Sequence, residues 1–170
     1  RLFVSKPSDE VSVEQAAKNI FEPLIRRAFR RQPTPVEIER VVNLVKMAVD
    51  EGYTFEKGVE YGLQSVLVSP NFLFRVEDDS KAITDQQEYL ADYELASRLS
   101  YFIWASLPDD ELLDAAARGD LSDPEKLRRQ AERMLADPRS TALVERFFHQ
   151  FLALGSLQEI EPDPKQFPLW

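Results

Sequence analysis

The sequence predicts an all-α protein: an irregular multi-helix bundle of about seven to eight short-to-medium helices with no significant β-sheet. Three observations carry this. Apolar residues recur at three- and four-residue spacing along most of the chain, and no segment alternates strictly between apolar and polar. Ser, Thr or Asp next to Pro, or three residues before Glu or Gln, punctuates the chain at intervals that suit short helices. Only 5 glycines occur in 170 residues, too few for the many tight turns of a β-protein.

Residues 1–11 read as an extended lead-in. Ser12, with Gln15 three residues on, starts a first helix whose inward residues are Val13, Ala17, Ile20, Leu24 and Ala28. Pro23 inside it predicts a kink or a helix–turn–helix, because proline lacks an amide donor and disfavours helical geometry at Glu22. Gln32-Pro33 closes this helix. Thr34-Pro35-Val36-Glu37 is the clearest start signal in the chain, with Thr as N-cap, Pro at the first helical position and Glu at the third. Ile38, Val41, Val42, Val45, Ala48 and Val49 form the inner face of that helix, and Gly52 ends it.

Thr54 caps a third helix with Phe55, Val59, Leu63, Val66 and Leu67 inward. Ser69-Pro70 opens a short fourth segment, Asn71 to Glu77, apolar enough to predict burial, with Arg75 and Glu77 as its polar exceptions.

The polar stretch 79–88 reads as a linker between a first helical domain, 1–78, and a second, 89–170. Tyr93–Trp104 is the densest aromatic and aliphatic run and predicts a central helix, with Leu90, Tyr93, Ala96, Leu99, Phe102 and Ile103 on one face. Pro108 opens a helix stopped by Gly119. Ser122-Asp123-Pro124-Glu125 reads as a capping box before Leu127, Ala131, Met134 and Leu135. Asp137-Pro138 caps a last helix bearing Leu143, Val144, Phe147, Phe148, Phe151, Leu152 and Leu154.

Hydrophobic residues make up 44% and charged residues 30% of the chain, enough for a packed core. The net charge of −9 argues against nucleic acid or an anionic membrane surface as the main partner. Residues 86–170 hold 9 basic against 16 acidic side chains, so most of that charge is in the second half. No cysteine is present, which excludes disulfides, thiolate metal sites and covalent c-type haem attachment within these residues. No run approaches the length of a membrane helix. The chain starts at Arg1 without methionine and ends on Phe167-Pro-Leu-Trp170, and so reads as a fragment of a longer protein.

Candidate chemistry is sparse. Arg26, Arg27, Arg30 and Arg31 fit an anion site or, more simply, a solvated helix face near acidic partners. His149, the single histidine, lies four residues after Glu145, whereas the di-iron signature requires three, twice over. It reads as a core-edge or surface histidine before a haem or metal ligand. Asp109, Asp110, Glu111 and Asp114 fit a carboxylate-held divalent cation or a favourable charge at a helix start, and the second is the simpler. Arg75, Glu77, Asp92, Glu94 and Arg98 sit beside strongly apolar stretches. They form either an ion-pair network joining the two halves or a polar site at their interface. Trp104 is the aromatic neighbour of that set.

Several strings are long enough to carry a resemblance. In the first half these are Ile25-Arg-Arg-Ala-Phe-Arg-Arg31, Pro33-Thr-Pro-Val-Glu37 and Ser65 to Glu77. In the second they are Tyr93 to Trp104, Pro108 to Leu113 and Gly119-Asp-Leu121. With these, the chain resembles a pair of consecutive helical domains of unknown function from large planctomycete-type proteins that also carry a cytochrome c domain. The resemblance implies export to the periplasm or exterior. It implies no cofactor in this fragment, with haem only elsewhere in the parent, and no established activity. It also implies that the second domain is truncated at its C-terminus. The partners it implies are the other domains of the same polypeptide, or a separate protein. Two functions follow as expectations: a helical scaffold or interaction module, or part of a redox or polysaccharide-directed enzyme site completed by other domains.

Overall fold

The computed structural model describes residues 3–74, 83–84, 87–88 and 91–152. Eight α-helices occur among them: α1 (Val13–Phe29), α2 (Pro35–Asp50), α3 (Phe55–Leu67), α4 (Pro70–Leu73), α5 (Asp92–Trp104), α6 (Asp110–Ala117), α7 (Pro124–Ala136) and α8 (Thr141–Phe151). The only described strands are the two-residue β1 (Ile83–Thr84) and β2 (Gln87–Glu88), paired antiparallel within the polar stretch. The fold is all-α.

Local chemistry sets the helix starts. Ser12, Thr34 and Thr54 each accept a hydrogen bond from the backbone N–H three residues on. At Thr34 the box is reciprocal, because Glu37 Oε2 accepts the Thr34 N–H at 2.8 Å. Gly52, at φ 89°, takes the left-handed turn after α2 that its position predicts.

Three starts differ from expectation: α6 is capped by Asp109 and begins at Asp110, past Pro108, and two others shift as well. Asp123, not Ser122, caps α7, because the Ser122 hydroxyl donates to Asp92 instead. Asp137 caps a 3-10 turn, Pro138–Ser140, and α8 begins only at Thr141.

Pro23 does not break α1, which runs unbroken to Phe29. Pro23 and Asn19 are both exposed, so the carbonyl that loses its helical donor faces solvent. Nor does Gln32-Pro33 end the helix. Arg30 ends it, in the left-handed conformation at φ 59°.

Helices α1, α2 and α3 pack together around Phe21, Ile25, Val45, Val59 and Val66, all fully buried. The close approach needs glycine: a Cβ at Gly62 would lie 2.5 Å from Phe21 Cζ. A second buried set gathers on α5, where Ala96, Ile103 and Trp104 meet Leu112, Ala115, Leu121 and Met134. Helix α5 touches α6, α7, α8 and both 3-10 turns, so it is the post of this half.

Several apolar expectations are corrected. On α5 the buried face is Ala96, Ser97, Ser100, Ile103 and Trp104, while Phe102 is 63% exposed. The small Ser97 and Ser100 turn their hydroxyls onto the backbone carbonyls of Tyr93 and Ser97, which satisfies them in the interior. Helix α4 stops at Leu73, and Leu73 and Phe74 are exposed rather than buried. Leu67 and Leu135 are also exposed, and so are Val144, Phe147, Phe151 and Leu152 on and just after α8. The Phe147 and Phe151 rings stack 5.6 Å apart in the open. No helix among the described residues is long and apolar enough to cross a membrane.

Candidate functional site

The polar residues nominated from the sequence divide into three places. Arg75 and Glu77 lie outside the described residues. Glu94 and Arg98 line a cleft of about 220 Å³. Trp104 is elsewhere, roughly 9 Å beyond Arg98 along α5 by the rise of a helix, buried in the second core.

The cleft lies where the end of α1, the end of α4 and the start of α5 converge. Its walls include the aromatic Phe29, Phe74 and Tyr93. Its polar groups include Arg31, Glu94 and Arg98. Glu94 also accepts the Ala91 N–H at 3.1 Å, which caps α5 in place of the Ala91 side chain. Elements that the sequence separates by a polar stretch, Asn71–Phe74 and Tyr93–Arg98, therefore face one cavity.

The floor of the cleft is Arg30, 6% exposed. Its guanidinium donates to four backbone carbonyls: Ala28 at 3.1 Å, Phe72 at 3.3 Å, Asn71 at 2.8 Å and Phe74 at 2.9 Å. A buried planar fork fits this task, because each terminal nitrogen carries two hydrogens to share among carbonyls. Arg30 thus replaces the amide donors that α4 lacks at its C-terminal end. Sequence reasoning placed it on a solvated face. The available signal was a helix end without glycine or asparagine to take the left-handed turn.

Glu37 is a second hub. Arg31 grips it with two hydrogen bonds, at 3.0 and 2.7 Å, and Asn71 Nδ2 donates to it at 3.0 Å. Arg31 is the main reason its carboxyl falls to about 2, with the Thr34 N–H adding to the effect. One carboxylate therefore ties the end of α1 and the start of α2 to α4.

The remaining arginines reach the second half. Arg27 Nε donates to Asp110 Oδ1 at 2.9 Å and its Nη2 to Oδ2, while Arg26 pairs with Asp114. Asp110 is held below the ordinary carboxylate range by the Arg27 guanidinium.

Asp109 does a different job. It accepts the Leu112 N–H at 3.0 Å as the cap of α6, and receives Arg133 at 2.8 and 3.1 Å. Burial pushes its pKa up, but Arg133, the Leu112 amide and Arg139 outweigh this and hold it low. The acidic run thus splits among Arg26, Arg27, Arg133 and Arg139 and a helix cap, and does not gather around one point. Among the described residues no group of three or more His, Asp or Glu side chains converges to hold a metal ion. His149 is exposed on α8.

Trp104 donates its indole N–H to the Met134 carbonyl, and Arg139 lies 3.5 Å above its ring centroid. Asp92 accepts the Leu121 N–H at 2.9 Å and the Ser122 hydroxyl, pinning the 3-10 turn Asp120–Ser122 to the start of α5.

Residues 16–77 match the family model described as PSD5, protein of unknown function (DUF1595). Residues 90–170 match the model described as PSD4, protein of unknown function (DUF1592). The two matches follow one another along the chain. No curated protein and no solved structure matches it. Arg30, Glu37 and the α1–α3 glycine contact fall in the DUF1595 match, and Trp104 and the acidic run in the DUF1592 match. The cleft takes Arg31 and Phe74 from the first and Tyr93, Glu94 and Arg98 from the second.

Proposed function

We propose that this chain is a non-catalytic helical scaffold or interaction module within a larger exported, haem-associated multidomain protein. The observation that carries this reading is the fate of the charged candidates. Asp109, Asp110, Asp114 and Glu94 each hold a helix end or bridge two helices, and Arg30 and Glu37 do the same. The open apolar face of α8, with Val144, Phe147 and Phe151, offers the contact surface such a module needs. Export and the haem-bearing host rest on the resemblance of the Ser65–Glu77 and Tyr93–Trp104 strings to proteins of that type.

The test is association between the purified chain and the remaining domains of its parent polypeptide, followed by titration calorimetry. Binding that Phe147→Ser with Phe151→Ser abolishes is the expected result. No binding at about 100 μM would sink the reading.

A second reading is favoured by one observation: the cleft sets Arg31, Glu94 and Arg98 among aromatic walls from both family matches. It makes this chain part of a redox or polysaccharide-directed site completed by other domains. Arg98→Ala in the parent separates the two. Lost stability fits the scaffold, while an unchanged melting temperature with lost turnover fits the site.

A further inference from the structure

Among the described residues, the two sets of buried apolar residues do not merge. The first draws on α1, α2 and α3, and the second on α5, α6, α7 and the turn at Leu121. What joins them is the last part of α1. Arg26 and Arg27 meet Asp114 and Asp110, which lie one turn apart on the same face of α6. Beside these pairs, Leu107 reaches a groove lined by Leu24 and Phe72. The open cleft lies at the far end of the same seam, between Arg31 and Arg98.

The seam is balanced on small differences. The side chains of Arg27, Asp110 and Asp114 are 59, 50 and 54% exposed, respectively. The Arg27–Asp110 pair, open on both sides, is screened by salt and favours one arrangement by no more than about fivefold, while Arg26, 21% exposed, is the more sheltered partner. Against the two pairs stands Arg26 Nε, buried with no hydrogen-bond partner among the described residues. Among the described residues the two buried apolar sets share no member.

We infer that the Arg26–Asp114 and Arg27–Asp110 pairs form an electrostatic latch between the two halves, and that its release opens the cleft between the end of α1 and the start of α5. This stands apart from the scaffold reading, since a latch serves a docking module and a ligand site alike.

The absence of native cysteine makes the test direct, because two introduced cysteines are the only labelling sites. Nitroxides at Asn43→Cys on α2 and Ala136→Cys on α7, both exposed positions, report the distance between the halves by pulsed electron spin resonance. One dominant distance is expected at about 0.02 M salt, with a second population rising severalfold at about 1 M. Arg27→Asp should produce that second population at low salt, and Arg27→Asp with Asp110→Arg should restore the first. A single distance, unchanged across the salt range in the otherwise native chain, overturns the latch. The salt series needs no charge substitution, so it decides the matter even where Arg27→Asp does not fold.

Discussion

The indole of Trp104 donates to the backbone carbonyl of Met134 at 2.9 Å, and both side chains are buried. The same carbonyl also accepts the Asp137 N–H at 3.3 Å. Trp104→Phe therefore leaves no orphaned acceptor and should lower stability by only about 1 kcal/mol. Trp104→Ala opens a cavity and should cost about 3–5 kcal/mol. Urea denaturation followed by circular dichroism measures both, and equal losses would show that the hydrogen bond, not the packing, dominates.

Arg30 combines a strained backbone with a structural side chain. Arg30→Ala removes the donors to four carbonyls and keeps the left-handed turn, so a loss of about 3 kcal/mol is expected. Arg30→Gly loses the same donors but relieves the turn, and should recover about 1 kcal/mol of that. The predicted order of melting temperatures is native, then glycine, then alanine. An alanine variant as stable as the native chain would refute the role given to the guanidinium.

The Glu37 carboxyl lies at about 2 in the folded chain against an ordinary 4.5. Its contribution is therefore complete above about pH 4.5 and is lost as the pH falls toward 2. Glu37→Gln should lower stability at neutral pH by on the order of 2 kcal/mol and flatten the acid limb over that window. Asp137, also drawn down to about 2 by Arg139, preserves part of the slope. Urea midpoints at several pH values check this, and parallel acid limbs for the two proteins would contradict it.

Gly62→Ala puts a methyl group 2.5 Å from Phe21 Cζ, in a site where Phe21 is fully buried. The expected loss is about 1–3 kcal/mol, from moving Phe21 or α3. Gly62→Ala with Phe21→Leu should recover part of it. A stable single variant would mean that α3 shifts freely against α1.

The helices were legible in the sequence because their starts depend on neighbours three residues apart. Ser12, Thr34 and Thr54 act as their local pattern requires. Burial was less legible. Phe102 and Ile103 are equally apolar, and only the packing of α6 and α7 decides which one faces inward. The candidate site was read in part. Glu94 and Arg98 line one cavity with Asn71 and Phe74, while Arg75 and Glu77, which the sequence grouped with them, lie outside the described residues. Arg30 was missed because its partners are backbone carbonyls about 40 residues away, which carry no side-chain signature. Pro23 misled because water at an exposed helix face can replace a missing donor.

All buried members of the first apolar set lie between Ala17 and Val66, and all those of the second between Ala96 and Met134. Contacts so local in sequence close quickly. During synthesis the first three helices can therefore collapse before α6 has left the ribosome. Until Asp110 and Asp114 emerge, Arg26 and Arg27 stand on a finished surface without their carboxylates. The nascent chain thus passes through a stage in which its end of α1 is basic, although the completed protein is strongly acidic.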